Sequence, residues 1–387
     1  MKKVFFPVKA TWLKVFVGCL CGLLFQAQSV SAQHTLPIKG NVVKPTDSHI
    51  QYVGRISFLN PERPAWNYPG VQINTAFEGT SAKLICKPGS GYFMAQIDEA
   101  EPFKVAFRGQ RDSVVTLCTA LPRALHTVRL MYVIEGYELR PEFWGFVFDG
   151  PVCAAPALPS RTIEFIGNSI TCAYGNESTH EGDHFQYETE NHYFGYAQLT
   201  ARALGARAHI VARSGIGAYR NYNGPKTGNP ESHMPVQYEY TGYALQASQR
   251  QQGGFDAEKW DFSRFQPDLV CINLGTNDLS TPNYDLNLLR QGYQRLLKMV
   301  RSHNPKAKIV FLCGSMLGGK QEQLCQEILD EVAEKAHRDG DAEVYRFNFS
   351  FSDGSLKYGA DWHPSIWQHE KMAAELTAYL RTLMQWF

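Results

Sequence analysis

Apolar and polar positions change period once along this chain. Between residues 52 and 150 they alternate, as in "GVQINTAFEG", "GYFMAQID", "VVTLCTAL", "HTVRLMYVIEG" and "FWGFVFDG", separated by Gly, Pro and Asp. A period of two marks strands with one face buried, and no long helical spacing interrupts them. Short strands at this spacing predict a small β-sandwich or jelly roll. Residues 151–159 ("PVCAAPALP") then form a proline-rich connector, a candidate domain boundary.

Beyond the connector the strands become continuous apolar runs: "TIEFIG", "AHIVAR", "DLVCINLG", "KIVFLCG" and "EVYRFNFS". Such runs are expected where both faces of a parallel sheet are covered. Helical spacing lies between them, in "YFGYAQLTARALG", "DLNLLRQGYQRLLKMVRSHNP" and "QEQLCQEILDEVAEKAHRDG", each ended by Gly or Pro. Alternating strands and helices predict a doubly wound α/β domain. The expected division is a leader over residues 1–32, a β-domain over 33–158 and an α/β domain over 159–387.

The leader follows from the first residues. Lys2 and Lys3 precede an apolar stretch at 15–25 that is too short to span a bilayer, and "VSA" at 30–32 suits cleavage before Gln33. An exported protein with no membrane span after cleavage is the expectation; a lipid anchor on Cys19 or Cys21 fits less well, because Gly18-Cys19 falls early in the apolar stretch. The 387 residues carry 38 basic and 37 acidic side chains, a balance that gives no field to gather nucleic acid or an anionic membrane. Seven cysteines lie beyond the leader (Cys86, Cys118, Cys153, Cys172, Cys271, Cys313 and Cys325), too scattered for a disulfide-built fold or a paired zinc site. An exported chain could bridge one or two pairs among them, the odd count leaves at least one thiol free, and which ones pair is not readable from the sequence.

Ligands of doubly wound sheets bind beyond the carboxyl ends of the strands. There the chain places "FIGNSITCAYGNE" with Ser169, "RSGIGAYRNY" with Gly215, "LGTND" with Asn277, and, before the last helix, "YGADWHPS" with Asp361 and His363. Each has a plain explanation as a helix cap, glycine loop, turn or helix entry. Their occurrence together, on successive strand ends, is what calls for chemistry. Asp361 and His363 are two apart, so an extended segment would project them to one side.

In this order the blocks resemble the SGNH (GDSL-like) hydrolase superfamily over residues 162 to about 373, and with the preceding β-domain they look like carbohydrate esterase family two. One departure is Asn168, where the superfamily commonly has Asp, so an amide must make the loop contact of a carboxylate. The resemblance implies a Ser169 nucleophile with His363 as base, oriented by Asp361 or else by the carbonyl of Trp362. It implies an oxyanion hole from the N–H groups of Ser169 and Gly215 and the amide of Asn277. The implied substrate is an acetylated plant cell-wall polysaccharide or oligosaccharide with a primary 6-position ester, and no cofactor or metal is needed. Trp66, Trp260, Trp362 and Tyr219 are candidate sugar-stacking rings, with core packing the competing role of each. Three histidines among carboxylates in residues 180–192 fit no defined metal spacing and read as a solvated loop. A lipase or thioesterase of the same fold, and a carbohydrate-binding protein without turnover, are the alternatives.

Overall fold

The computed structural model describes residues 39–242 and 254–387; the expected leader lies outside them. Within Lys39–Phe387, which packs as one unit, the alternating segments become ten antiparallel strands. These are β1 (Asn41–Val43), β2 (Gln51–Val53), β3 (Gln72–Gly79), β4 (Ala82–Cys86), β5 (Gly91–Ile97), β6 (Phe103–Phe107), β7 (Val114–Cys118), β8 (Ala124–Tyr132), β9 (Phe143–Phe148) and β10 (Val152–Cys153). One sheet runs β1-β9-β4-β7; the other runs β10-β3-β8-β5-β6, with β2 on β3. Their inner faces share a core of Trp66, Phe77, Phe93, Tyr132, Phe143 and Phe148, where Phe77 of one sheet stacks on Phe148 of the other with centroids 4.6 Å apart.

The continuous apolar runs become β11 (Arg161–Gly167), β12 (Ala206–Ala212), β13 (Leu269–Leu274), β14 (Lys308–Cys313) and β15 (Val344–Asn348). They form one parallel sheet in the order β12-β11-β13-β14-β15. The order reverses between β11 and β13, so the loops after those strands open a crevice at their carboxyl ends. Helices Leu286–His303 and Gly319–Arg338 cover one face, and Tyr196–Ala203 and Ile366–Met384 the other. The helix at Leu286–His303 shows why the sequence folds so. The Asp285 side chain caps it by accepting the N–H groups of Asn287 and Leu288, and Leu289, Tyr293, Leu296, Leu297 and Val300 recur at helical spacing and are all buried. Each such side chain contributes roughly 1.5–3 kcal/mol by leaving water.

The two sheets of the β-region do not merely precede the parallel sheet. Arg55, fully buried, pairs with Glu164 in the middle of β11 at 3.2 Å and donates to the Tyr240 carbonyl at 3.0 Å, with its guanidinium 5.3 Å from the Trp260 ring centre. A charge removed from water this completely is tolerated only with such partners. All seven described cysteines are free thiols, and no bridge joins any two of them. No helix among the described residues is long and apolar enough to cross a membrane.

Candidate active site

Gly167 ends β11 where a Cβ would stand 2.0 Å from Thr171 Oγ1, so only glycine lets the chain turn this tightly into the short helix Ser169–Cys172. The cap of that helix is Asn168, whose Oδ1 accepts the Ile170 N–H at 3.0 Å. The amide thus takes the place expected of a carboxylate, and Ser169 is released from capping. Ser169 Oγ lies 2.9 Å from His363 Nε2, within reach for proton transfer.

The histidine is held differently from the expectation. Asp361 and Trp362 both adopt left-handed backbone, with φ of 50° and 64°. Two such non-glycine residues in succession are costly and tend to mark sites where geometry matters. The turn brings the carbonyls of Ala360 and Asp361 each to 3.1 Å from His363 Nδ1, which donates to both. The Asp361 carboxylate instead accepts the Tyr174 hydroxyl at 2.8 Å, His184 Nδ1 at 3.0 Å and the Phe185 N–H at 3.2 Å. Tyr174 in turn lies against the imidazole, centroids 4.2 Å apart, with Phe185 stacked on it at 4.4 Å. Burial pushes the His363 pKa down to about 4, against the opposing pull of its two carbonyl partners. The imidazole is therefore neutral, with Nε2 able to accept a proton.

Across the crevice, residues 214–220 carry Gly215, whose φ of 79° suits its lack of a side chain. Among the described residues neither the Ser169 nor the Gly215 N–H donates to a protein acceptor. Asn277, buried beside them, gives one N–H to the Ile216 carbonyl at 2.7 Å and keeps the other. Buried carboxylates pin this segment at both ends. Asp278 accepts the N–H groups of Ala218, Tyr219 and Arg220 at 2.9–3.0 Å. Glu135, reaching over from the β-region, accepts the Ser214 N–H at 2.7 Å and the Ser214 hydroxyl. Burial raises the pKa of both acids, with these hydrogen bonds pulling the other way. A cleft of about 960 Å³ opens on Ser169, His363, Gly215 and Asn277. One nucleophile, one neutral base and three donors around a shared space are the parts for acyl transfer from an ester.

Residues 52–156 match the family model "Carbohydrate esterase 2 N-terminal", and residues 165–370 match "GDSL-like Lipase/Acylhydrolase family". A solved family two carbohydrate esterase from Clostridium thermocellum, in complex with cellohexaose, is 39% identical. The similarity covers 87% of this chain and all of that one, with a TM-score of 0.78. The chain belongs to carbohydrate esterase family two. It is a GDSL-type ester hydrolase whose relatives include the cellulase/esterase CelE of Acetivibrio thermocellus, 38% identical over 87% of this chain, of which this chain spans 40%. They also include an acetylxylan esterase/glucomannan deacetylase of Cellvibrio japonicus, 28% identical over 89% of this chain and 92% of that protein.

Four side chains of the esterase stand elsewhere than the sequence suggests. The Asp361 carboxylate does not touch His363, because the left-handed turn replaces the extended geometry that would have aimed it there. Trp260 is buried in the seam between the β-region and the parallel sheet, flanked by Arg55 and Arg264. Tyr219 is buried under the oxyanion segment, its hydroxyl accepting the Asp285 N–H at 2.7 Å; Trp66 is in the β core. Trp362 alone of these aromatics is exposed, tilted against Tyr358. Of the loop histidines, His184 reaches Asp361, while His192 is buried. Sequence reasoning passed over Tyr174, Tyr222, Met316 and Phe351 in the cleft, and Glu135 behind it. Tyr174 had a signal, five residues beyond Ser169 in the same loop; Glu135, in a different region of the chain, had none.

Proposed function

We propose that this esterase removes O-acetyl groups from plant cell-wall polysaccharides or oligosaccharides, acting on primary 6-position esters after export. The observation that carries it is the 2.9 Å contact of Ser169 Oγ with a neutral His363, opening on a cleft with three converging donors. Ser169 Oγ attacks the acetyl carbonyl and its proton passes to His363 Nε2. The Ala360 and Asp361 carbonyls accept from Nδ1–H and stabilise the cation formed. The oxyanion accepts from the N–H groups of Ser169 and Gly215 and from Asn277. Collapse breaks the bond to the sugar oxygen, which takes the proton from His363. Water, deprotonated by the same nitrogen, then releases acetate from the acetyl-serine. The named activities of the Cellvibrio relative and the cellohexaose bound by the Clostridium neighbour support a glycan in the cleft. Exposed Tyr222 on the cleft wall offers it a ring face, and exposed Trp362 stands next to His363 in the chain.

A short-chain lipase reading draws on the apolar part of the cleft wall, formed by Leu279, Met316, Leu317 and Phe351. An acyl series decides between them, since each methylene buried in a channel gains about 0.8 kcal/mol. Expected is a steep fall in kcat/KM from acetyl to butyryl esters and acetate release from acetylated glucomannan that Ser169→Ala abolishes. Rising kcat/KM with chain length would reject the carbohydrate reading.

A further inference from the structure

The six-stranded sheet turns one face away from its own core, and that face is not an ordinary surface. Its register sets Gln51, Asn74, Arg129 and Gln96 side by side across β2, β3, β8 and β5. The neighbouring row on the same face is Gln72, Met131 and Met94. Residues 156–159 of the connector, Tyr193, and Gln198 and Arg202 of the helix Tyr196–Ala203 close over these rows with Arg207, leaving a cavity of about 360 Å³. Arg207 is the second residue of β12, at the opposite end of the parallel sheet from Ser169, and the cavity shares no lining residue with the catalytic cleft.

Four polar atoms of the residues that line this cavity are buried and have no partner: Gln51 Oε1, Asn74 Oδ1, Gln198 Nε2 and Arg207 Nε. Asn74 is 6% exposed and Gln198 1%. Leaving buried polar groups unpaired is costly, and the residues of this wall thus hold hydrogen-bonding capacity that the protein itself does not use. The charge is one-sided as well. Three arginines line it and no carboxylate does. Arg129 meets Glu99, exposed, at 3.1 Å, whereas Arg202 and Arg207 have no carboxylate partner among the described residues. Arg202 lies over the Tyr193 ring at 4.0 Å and donates to the Tyr193 carbonyl at 2.8 Å.

We propose that this cavity is a second saccharide site, which takes one carboxylate-bearing sugar, a uronic acid unit of an acidic glycan. Side-chain amides both donate and accept, as sugar hydroxyls require. Met94 and Met131 offer apolar area to ring C–H groups, and the guanidinium groups match a carboxylate. The volume is at the lower end of the roughly 300–1,000 Å³ of ligand pockets, room for a single ring and not for a chain. The sugar half of this inference rests on the carbohydrate reading above; the anionic half does not.

The test labels methionine methyl groups with 13C in the full chain and titrates D-glucuronate, with glucose and acetate as controls. Met94 and Met131 report on the cavity, and Met316 reports on the catalytic cleft. Expected are saturable shifts of Met94 and Met131 at millimolar glucuronate, weaker by tenfold or more with glucose or acetate alone. Arg207→Gln and, separately, Asn74→Ala should each raise the apparent Kd by about tenfold, the loss of one charge-assisted or buried hydrogen bond, while kcat/KM for a chromogenic acetate ester stays unchanged. Silence at Met94 and Met131 overturns the site, even if Met316 responds and the catalytic reading stands. Equal response to acetate reduces it to an adventitious anion only, and equal response to glucose removes the role of the arginines.

Discussion

The two walls of the catalytic cleft are built on opposite principles. On the base side the groups that hold His363 are backbone carbonyls, aimed by two left-handed residues, and the nearby carboxylate of Asp361 faces Tyr174 and His184. On the oxyanion side the groups that hold the backbone are carboxylates, Asp278 and Glu135, both fully buried. Acidic residues stand on both walls, yet each does what the local backbone leaves for it. Where several N–H groups converge in a dry place, a carboxylate satisfies them; where two carbonyls already converge on an imidazole N–H, a carboxylate is superfluous.

Between the two walls, the larger effect is expected on the oxyanion side. Asn277→Ala should lower kcat by roughly 10²–10³ with little change in KM, the usual loss of one donor to a developing oxyanion. A change confined to KM would make Asn277 a substrate-binding residue instead. Next comes Glu135→Ala, which removes the acceptor of the Ser214 N–H and hydroxyl and frees the segment carrying Gly215. A loss of about tenfold in kcat, near 1.4 kcal/mol, is expected, with Glu135→Gln recovering most of it because an amide oxygen still accepts. Loosened oxyanion donors should also narrow the preference for an ester over its thionoester. An unchanged preference would reduce Glu135 to a fold residue.

On the base side the pH profile is the sharper probe. His363 titrates at about 4, below the usual value of about 6.5, so the neutral base is present above that point and is lost as pH falls through it. The acid limb of kcat/KM should therefore lie well below 6.5; a limb at 6.5 would contradict the burial of the imidazole. Stability moves in the same direction. His192 and His369, buried and neutral down to about 4 and about 3, bind protons in the unfolded chain near 6.5 but not in the folded one. Their contribution to stability is thus complete above 6.5 and declines as pH drops toward 4. Circular dichroism at each pH separates the two losses.

What the sequence disclosed and what it withheld follow the same division. Periodicity over β11, β13 and the helix Leu286–His303 was enough for the sheet, its covering helices and the strand ends where Ser169, Gly215 and Asn277 stand, because each is a local consequence of apolar spacing and breakers. The role of Asp361 was not legible, since spacing supposes an extended chain and the left-handed pair at Asp361 and Trp362 is set by contacts such as the Asp361 N–H to the Asp183 carbonyl at 2.9 Å. Trp260 and Tyr219 were misplaced for the converse reason. An aromatic in a loop looks available until Arg55 and Asp285, far away in sequence, are seen to claim it. Glu135 is a further case, a contact across 79 residues between two differently patterned regions.

The smallest effect should come from the residue that looked most like a catalytic acid. Asp361→Asn keeps a side chain that tolerates left-handed backbone and still accepts from Tyr174 and the Phe185 N–H. The carbonyls of residues 360 and 361 that orient His363 are untouched by the exchange. The expected change in kcat is therefore within about threefold, whereas a triad carboxylate exchanged for its amide costs about 10⁴ by fixing the wrong tautomer. Asp361→Ala should cost somewhat more than Asp361→Asn, since alanine pays about 1–2 kcal/mol to remain left-handed and lets the two carbonyls drift from Nδ1. That order, asparagine mild and alanine worse, belongs to a residue whose backbone matters. Equal and severe losses in both would return the carboxylate to the catalytic set and erase the contrast between the two walls.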